Sequence, residues 1–230
     1  EAALEAALAP EALLLDMDDT LLDASRSYRG ATIATAAALG VCVTAGDIAA
    51  AKAAGDANDD WRLTWRLIRD RGGRATLAEV TARFEEIYQG APGTPGLRET
   101  ETLLIERPAL ERLAARTRLG IVTGRPRADA ERFLAERGIA DLFGAVVTMD
   151  DGPLKPDPAP VRAALERLGV RRAWMLGDTP DDVRAARAAG VVPLGVVAPS
   201  DDVDEATAAL YAAGAARVLP CAAEIEEVLA

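Results

Sequence analysis

The sequence predicts an α/β fold in which a parallel-sheet core carries an inserted, all-helical cap domain. Short apolar runs that end in polar residues alternate with amphipathic helical stretches, which is typical of strands joined by crossover helices. Residues 24–100 then show an almost entirely helical pattern, and this interval is too long for one crossover. A chain of 230 residues has room for one core and a smaller second domain.

The strands of the core are predicted from the short apolar runs. They are Ala12–Leu15, Leu119–Thr123, Ala145–Met149, Ala173–Leu176, Leu194–Val197 and a short one at Arg217–Leu219. First-turn prolines and terminal glycines mark the crossover helices: Pro108, Pro126, Pro158, Pro180, Gly138, Gly169 and Gly190. Ligands bind beyond the carboxyl ends of the strands in such a sheet, so the residues that follow each strand are the first candidates for a site.

The inserted domain is predicted to contain four helices, at Tyr28–Leu39, Thr44–Ala54, Asp60–Arg71 and Thr76–Gln89. Thr76 and Glu79 form a capping box at the start of the last one. Residues 91–96 are rich in turn formers and are interpreted as the linker back to the core. We therefore assign residues 1–23 and 97–230 to the core and residues 24–96 to the helical cap.

Composition excludes several classes of partner. The formal charge is −11 and the arginines are scattered singly, so no basic stripe is available for nucleic acid. No apolar stretch reaches the roughly 18 residues of a membrane span, so a cytoplasmic location without membrane binding is expected. Cys42 and Cys221 lie far apart and are predicted to be small core residues, not a disulfide or a zinc site.

The chain contains no histidine, so carboxylates, lysine or a metal must carry any catalysis. Asp16 and Asp18 lie two residues apart in Asp-Met-Asp-Asp-Thr, directly after the first strand. One carboxylate can attack phosphorus while the other protonates the leaving oxygen and later activates water. The alternative from these residues alone is a turn or helix cap rich in aspartate.

Later strands end in further polar residues. Thr123 and Gly124 can present a hydroxyl and a backbone N–H to one phosphoryl oxygen, or they can form a simple turn. Lys155 is one of two lysines in the chain and suits a point contact to phosphate, although a solvated loop position is the alternative. Asp178 follows the fourth predicted strand and can join Asp16 in holding Mg²⁺.

Together these segments resemble the haloacid dehalogenase-like superfamily, in the subfamily whose helical cap is inserted after the first motif. The four motifs occur in order: Asp16-x-Asp-x-Thr, a strand ending in Thr123, a downstream Lys155, and Gly-Asp178-x-x-x-Asp182. The resemblance covers essentially the whole chain. It implies a Rossmann-like core, a small phosphorylated metabolite as substrate, and Mg²⁺ as cofactor.

The resemblance also implies roles at the matching positions. Asp16 would be the nucleophile and a metal ligand, and Asp18 the general acid/base that also ligates Mg²⁺ through its backbone carbonyl. Asp178 would complete the metal ligands. Thr123, Gly124 and Lys155 would bind the phosphoryl group, and Asp181 or Asp182 would support the metal. Asp182 has a second interpretation as a capping residue that returns to the amide of Thr179.

The presence of Asp18 decides among the chemistries of the family, because its dehalogenases and phosphonoacetaldehyde hydrolases lack this acid. Phosphomonoester hydrolysis through an aspartyl-phosphate is therefore favoured, and Lys52 is interpreted as a surface lysine of the cap. A sugar-phosphate mutase of the β-phosphoglucomutase type is the enzymatic alternative, although those enzymes use a cap histidine. A catalytically silent, metabolite-binding regulator is the alternative from another class. The sequence does not indicate an oligomeric state.

Substrate contacts are expected from the cap and from the residue after Gly124. The cap segment 58–62, at the start of a helix, is expected to face the crevice. The candidates are Asn58, Asp59, Trp61, Arg62 and Arg125. Trp61, Trp65 and Ile68 share a helical face that we interpret as cap core, not as a substrate platform. The arginines of another face are interpreted as solvated: Arg62, Arg66 and Arg69.

Overall fold

The computed structural model describes residues 9–55 and 57–229. Its strands are β1 (Ala12–Leu15), β2 (Leu22–Asp23), β3 (Gly90–Ala91), β4 (Thr94–Pro95), β5 (Thr102–Leu103), β6 (Arg118–Val122), β7 (Phe143–Val147), β8 (Ala173–Gly177), β9 (Val192–Val196) and β10 (Arg217–Leu219). Six of these strands form one parallel sheet in the order β10-β9-β8-β1-β6-β7. The α/β fold class is therefore confirmed.

Strand β1 lies in the interior of the sheet, between β6 and β8. Leu13 is aligned with Leu119 on one side and with Trp174 on the other. Alternate residues of β1 enter different apolar clusters, Leu13 and Leu15 on one face and Ala12 and Leu14 on the opposite face. Both faces of the sheet are covered, as expected for a parallel sheet. Because β1 is an interior strand, the residues that follow it lie near the middle of the carboxyl end of the sheet.

The helices are α1 (Tyr28–Ala38), α2 (Ala45–Ala54), α3 (Asp60–Asp70), α4 (Leu77–Gln89), α5 (Arg107–Ala114), α6 (Arg127–Glu136), α7 (Ala159–Leu168), α8 (Pro180–Ala189), α9 (Val203–Ala213) and the short α10 (Ile225–Val228). The crossover helices α7 and α8 end at Gly169 and Gly190, whose φ angles of 65° and 78° favour glycine. Pro180 occupies the first turn of α8, whereas Pro126 and Pro158 lie one position earlier than predicted, at the N-caps of α6 and α7.

Helices α1 to α4 form the cap. They share an apolar cluster of their own, whose buried members include Ala36, Val43, Ile48, Leu63, Ile68 and Val80. Phe84 and Tyr88 of α4 and Tyr28 of α1 instead join the cluster of the core, and the rings of Tyr28 and Tyr88 meet edge-on at 4.5 Å. The cap therefore packs on the core through aromatic side chains at its base.

The two strand pairs outside the main sheet were not predicted. β2 pairs with β5 in antiparallel fashion, and β3 pairs with β4 in the stretch interpreted as a linker. The β2–β5 pair brings the chain entering the cap next to the chain leaving it. The division of the chain at residues 24 and 96 stays a prediction.

The prediction that both cysteines are core residues is wrong, because Cys42 and Cys221 are exposed and free. Cys42 lies in the turn between α1 and α2, and Cys221 follows β10, so both occupy connections and not the packed faces of helices or strands. Among the described residues, the structure contains no helix with the length and apolar character that a membrane crossing requires.

Candidate active site

Asp16 leaves β1 at the carboxyl edge of the sheet and is held between neighbouring strands. Its backbone N–H donates to the carbonyl of Leu176, 2.9 Å away, which continues the parallel ladder by one residue. Nζ of Lys155 lies 2.5 Å from Oδ1 of Asp16 and 3.0 Å from the carbonyl oxygen of Val122. The side chains of Asp16 and Lys155 are buried, so the pair lies in a medium where charge interactions are strong.

Hydrogen bonds to Asp151 hold the segment between β7 and Lys155 in place. The carboxylate of Asp151 accepts hydrogen bonds from the backbone N–H of Thr148 at 2.8 Å and from the guanidinium groups of Arg127 and Arg167 at 2.5 and 2.6 Å. These bonds connect the segment after β7 to α6 and α7. They orient the segment that delivers Lys155 to Asp16.

A second buried carboxylate, Asp178, follows β8 and faces Asp16. Hydroxyl Oγ1 of Thr20 donates to Oδ1 of Asp178 at 3.5 Å, whereas Oδ2 has no hydrogen-bond partner among the described residues. Carboxylate oxygens of Asp16, Asp178 and Asp182 all lie within 4.8 Å of one another. A group of oxygen donors that includes a buried carboxylate oxygen without a hydrogen bond fits a hard divalent cation such as Mg²⁺.

Asp181 and Asp182 have different surroundings. Asp182 accepts hydrogen bonds from the backbone N–H and the hydroxyl of Thr179 through Oδ2, at 3.0 and 2.5 Å, while its Oδ1 lies 2.5 Å from Nζ of Lys155. Asp181 accepts from Nδ2 of Asn58 at 3.0 Å and from Arg184 at 3.1 Å. The capping interpretation of Asp182 is therefore confirmed, and Asp182 is the member of the pair that faces the site.

Arg125 is fully enclosed and does not offer a free guanidinium to phosphate. It donates from Nε and Nη2 to the carboxylate of Asp18 at 3.0 and 2.6 Å, and Nη2 also lies 2.7 Å from Glu101. Its guanidinium lies 4.4 Å from the ring centre of Tyr28, and Nη1 donates to the hydroxyl of Tyr88. The expectation of a substrate contact is therefore corrected: Arg125 orients Asp18.

Thr123 and Gly124 form the turn that follows β6, directly before Arg125. Oγ1 of Thr123 accepts the backbone N–H of Arg125 at 3.1 Å, which fixes the turn after β6. A Cβ at Gly124 would lie 2.1 Å from the backbone oxygen of Asn58. Glycine is therefore required here by the close approach of the cap to the core.

The cap residues predicted to contact substrate lie at different places in the structure. Asn58 donates to the carbonyl of Lys155 at 3.1 Å, so it bridges cap and core. Asp59 caps α3 and pairs with Arg62, whose side chain is 69% exposed; both line an outer cleft of about 400 Å³. Trp61 donates its indole N–H to Glu85 at 2.9 Å and packs on the apolar cluster of the core, so the prediction that it belongs to the cap core is wrong for this residue. Trp65 and Ile68 do join the cap cluster. A substrate contact from Trp61 stays a prediction.

The geometry describes a crevice with an acid pair, a buried lysine and a candidate cation position, all at the carboxyl edge of a parallel sheet. The sequence profile of the haloacid dehalogenase-like hydrolases matches residues 10–190. The chain belongs to this family. The match includes all four motifs, and the resemblance predicted from them is confirmed.

Individual proteins are also similar to this chain in sequence. A Phytophthora nicotianae protein named imidazoleglycerol-phosphate dehydratase is 48% identical over 197 residues, which are 82% of this chain and 44% of that protein. A phosphoglycolate phosphatase of Rhodospirillum rubrum is 49% identical over 83 residues, 34% of each chain. This chain therefore aligns with less than half of the length of either relative.

A solved haloacid dehalogenase-like neighbour covers nearly all of the chain. It is a protein of Thermotoga maritima described as a candidate β-phosphoglucomutase, with 25% identity and a TM-score of 0.67. The alignment covers 95% of this chain and 98% of that one. Cap and core of this chain thus both have counterparts in a known structure.

Two further cap residues of this family member lie in the crevice. Asp60 belongs to the segment 58–62 that was expected to face it, whereas Lys52 was not predicted as a site residue. Lys52 of α2 is buried, with Nζ 3.6 Å from Oδ2 of Asp19 and 4.0 Å from Oδ2 of Asp178, so its interpretation as a surface lysine is wrong. Asp60, the first residue of α3, lines a cavity of about 20 Å³ together with Asp16 and Asp18. The scarcity of lysine was the one available signal for Lys52.

Asp19 is a further buried acid that the sequence analysis did not assign. Its φ of 56° places it in the left-handed region, and its carboxylate accepts the backbone N–H of Ala24 at 3.0 Å. Nε of Arg29 lies 2.7 Å from the same carboxylate, and Nη1 of Arg29 lies 2.5 Å from Asp201. Asp19 therefore connects the first motif of this haloacid dehalogenase-like chain to helix α1 of the cap.

The environment shifts the pKa values of the acids in different directions. Burial raises the pKa of Asp16, although the nearby ammonium of Lys155 opposes the rise. Burial also raises the pKa of Asp178 and brings that of Asp60 to about 7. Burial alone would raise the pKa of Asp18 too, but the guanidinium of Arg125 outweighs it and holds the pKa below its usual value.

Proposed function

We propose that this chain is a phosphoric monoester hydrolase that removes the phosphoryl group from a small phosphorylated metabolite in the presence of Mg²⁺. The observation that carries the proposal is the contact between Asp16 and Lys155, 2.5 Å apart and buried at the carboxyl edge of the sheet. A carboxylate next to a fixed cation is arranged to meet an anionic phosphoryl group at close range. Family membership and a phosphatase among the relatives support the same reaction class.

Each residue has a defined task in the proposed reaction. Asp16 attacks phosphorus, and the bond from phosphorus to the ester oxygen breaks as an aspartyl-phosphate forms. Asp18 acts in its protonated form when it supplies a proton to the departing alcohol, and the lowered pKa makes it a stronger acid for this step. The carboxylate that remains then takes a proton from the water that hydrolyses the aspartyl-phosphate. Lys155, the hydroxyl of Thr123 and the backbone N–H of Gly124 bind the phosphoryl oxygens.

Asp16 and Asp178 are the proposed carboxylate ligands of Mg²⁺, with Asp182 in a supporting position and the backbone carbonyl of Asp18 as a further ligand. When held by these residues, the ion would supply positive charge that offsets the repulsion between Asp16 and the phosphoryl oxygens. Oδ2 of buried Asp178 accepts no hydrogen bond from the described residues and lies 4.0 Å from Nζ of Lys52, which supports this assignment. Asp181 is not proposed as a ligand, because its carboxylate bridges Asn58 and Arg184.

Phosphate release from a panel of phosphomonoesters, with Mg²⁺ and with EDTA, tests the proposal. The names of the two relatives suggest 2-phosphoglycolate and imidazoleglycerol phosphate as members of the panel. We expect turnover that requires the metal and that disappears in Asp16→Asn, a substitution that keeps the size of the side chain. Equal phosphate release by the native chain and Asp16→Asn would contradict the proposed nucleophile.

A sugar-phosphate mutase is the second candidate, favoured by the likeness to the Thermotoga maritima protein described as a candidate β-phosphoglucomutase. A mutase returns the phosphoryl group to another hydroxyl of the sugar and releases little phosphate. Incubation with β-glucose 1-phosphate and a glucose 1,6-bisphosphate primer, followed by ³¹P NMR, separates the two. Conversion to glucose 6-phosphate without free phosphate would replace the hydrolase proposal.

A further inference from the structure

We propose that Asp60 selects the leaving alcohol, and that the preferred substrate is a phosphomonoester whose alcohol carries a hydrogen-bond donor, a hydroxyl or an amine, and no carboxylate. This inference rests on the proposed hydrolase function and adds a substrate class to it. It depends on three features of the crevice: the position of Asp60, the lack of a hydrogen bond to its carboxylate from the described residues, and the pairing of the nearby cations.

Asp60 lies where a leaving group must pass. The small cavity next to Asp16 and Asp18 is lined by the cap through Lys52, Ala57, Asn58 and Asp60. At about 20 Å³ it has room for a water molecule but not for an ester, so substrate enters when the cap moves away. When the cap closes again, the carboxylate of Asp60 contacts the alcohol part of the substrate, close to the proposed proton donor Asp18.

The carboxylate of Asp60 accepts no hydrogen bond from residues 9–55 and 57–229, and no cation of these residues pairs with it within 4.0 Å, although the ammonium of Lys52 attracts it from a longer distance. The hydroxyl of Thr64 donates to the backbone carbonyl of Asp60 at 2.6 Å. Its neighbour Asp59, by contrast, caps α3 and pairs with Arg62. A partly buried carboxylate without a hydrogen bond from the protein is costly unless a ligand or water supplies the donor. A donor on the leaving alcohol satisfies this requirement.

The cations around the crevice are already shared between carboxylates. Arg125 forms ion pairs with Asp18 and Glu101, and Arg29 forms ion pairs with Asp19 and Asp201.

The two lysines are shared in the same way. Lys155 lies between Asp16 and Asp182, and Lys52 lies nearest to Asp19 and Asp178. Mg²⁺ and Lys155 are then occupied by the phosphoryl group itself. A carboxylate on the alcohol would therefore meet Asp60 without a cation of its own, and the two like charges would repel.

Four phosphate esters of two-carbon alcohols, assayed at about pH 8 where Asp60 is largely ionised, test the inference: 2-aminoethyl phosphate, 2-hydroxyethyl phosphate, ethyl phosphate and 2-phosphoglycolate. We expect kcat/KM for at least one of the two donor-bearing esters to exceed that for ethyl phosphate by about tenfold, the effect of one good charged hydrogen bond. We expect 2-phosphoglycolate to fall below ethyl phosphate. This order is measured on the native chain and does not depend on the folding of any variant.

Variants at Asp60 separate the two donors. Asp60→Asn should abolish a preference for the amine, because the negative charge is lost, but retain part of a preference for the hydroxyl. Asp60→Ala should abolish both preferences, so that the ratio of kcat/KM for each donor-bearing ester to kcat/KM for ethyl phosphate falls to about one. Asp59→Asn is the matched control, with the same change of charge one residue away and a capping side chain retained. It should leave the order of substrates unchanged.

The outcomes distinguish this inference from the function on which it rests. Equal hydrolysis of all four esters, or a faster reaction of 2-phosphoglycolate, would overturn the role of Asp60 and leave the hydrolase intact. A uniform loss on every ester in Asp60→Ala would also overturn it, because a selecting residue must act on some substrates more than on others. No metal-dependent release from any ester would overturn the hydrolase and the inference together.

Discussion

Nζ of Lys155 lies 2.5 Å from Oδ1 of Asp16, although 139 residues separate the two in sequence. The contact joins the end of the central strand β1 to the segment that follows β7. It places the nucleophile and its cation at one point of the sheet edge. Because both side chains are buried, each depends on the other for its charged state.

Replacing Lys155 by methionine should damage both stability and turnover. The carboxylates of Asp16 and Asp182 would lose their shared cation, and removing one partner of a buried ion pair costs about 3–5 kcal/mol. We expect the free energy of unfolding in urea to fall by that amount, and phosphate release to fall at least about 100-fold. Lys52→Met is the comparison, with a smaller loss of stability expected because its nearest carboxylate oxygen is 3.6 Å away. A Lys155→Met variant as stable as the native chain would show that the pair contributes nothing.

Arg125→Met should release Asp18 from its fixed orientation. The substitution leaves Asp18 and the buried Glu101 without their common guanidinium, so we expect a loss of about 3–5 kcal/mol in the free energy of unfolding. Arg125→Lys keeps the charge but not the forked geometry and should recover part of the stability. Calorimetric melting of the three chains measures the difference. Identical melting temperatures for the lysine and methionine variants would mean that charge is not the reason for the loss.

Asp60 should make the protein less stable as the pH rises. The folded-state pKa is about 7, above the ordinary value near 3.8, because of burial, with Asp18 raising it further and Lys52 and Arg125 opposing the rise. A raised carboxyl pKa means that the folded protein binds more protons than the unfolded chain, so stability declines as the pH increases through that interval and levels off above pH 7. Asp60→Asn, which does not titrate, should therefore melt higher than the native chain at pH 8 and close to it at pH 4.5. A constant difference between the two chains at every pH would contradict the raised pKa.

Gly124→Ala should push the cap segment around Asn58 away from the core. The added Cβ would lie 2.1 Å from the backbone oxygen of Asn58, so the segment carrying Asn58 must shift. The bonds from Asn58 to Lys155 and Asp181 would weaken, and overpacking of this kind costs about 1–3 kcal/mol. We expect kcat/KM to fall about 100-fold, since displacements near 1 Å are sufficient for such losses. Gly46→Ala in α2, whose nearest neighbour atom would lie 3.8 Å away, is the control and should not lose stability.

The sequence was sufficient to predict the residues at the sheet edge, for a physical reason. Asp16, Thr123 and Asp178 directly follow short apolar strands, and parallel strands place their carboxyl ends at the same edge. Local patterns therefore gave the relative positions of residues that are distant in sequence. The placement of Lys155 next to Asp16 was implied by the family resemblance, not by periodicity.

The sequence was not sufficient to predict a side-chain position that depends on how the cap packs on the core. Lys52 and Asp60 face the crevice because of the rotation of α2 and α3 relative to the core, which no repeat of apolar residues specifies. Arg125 was singled out correctly for its place after β6, but its partner Asp18 is 107 residues away. The partner determines whether Arg125 can meet a phosphate or orients an acid, and partners of this kind come only from the folded structure.

The two exposed cysteines have a practical consequence for following the cap. Cys42 lies on the cap and Cys221 on the core, and they are the two thiols of the chain. The native sequence therefore carries one attachment point for a maleimide dye on each side of the crevice. A donor and acceptor pair attached there would report cap opening by energy transfer, molecule by molecule, without a single substitution.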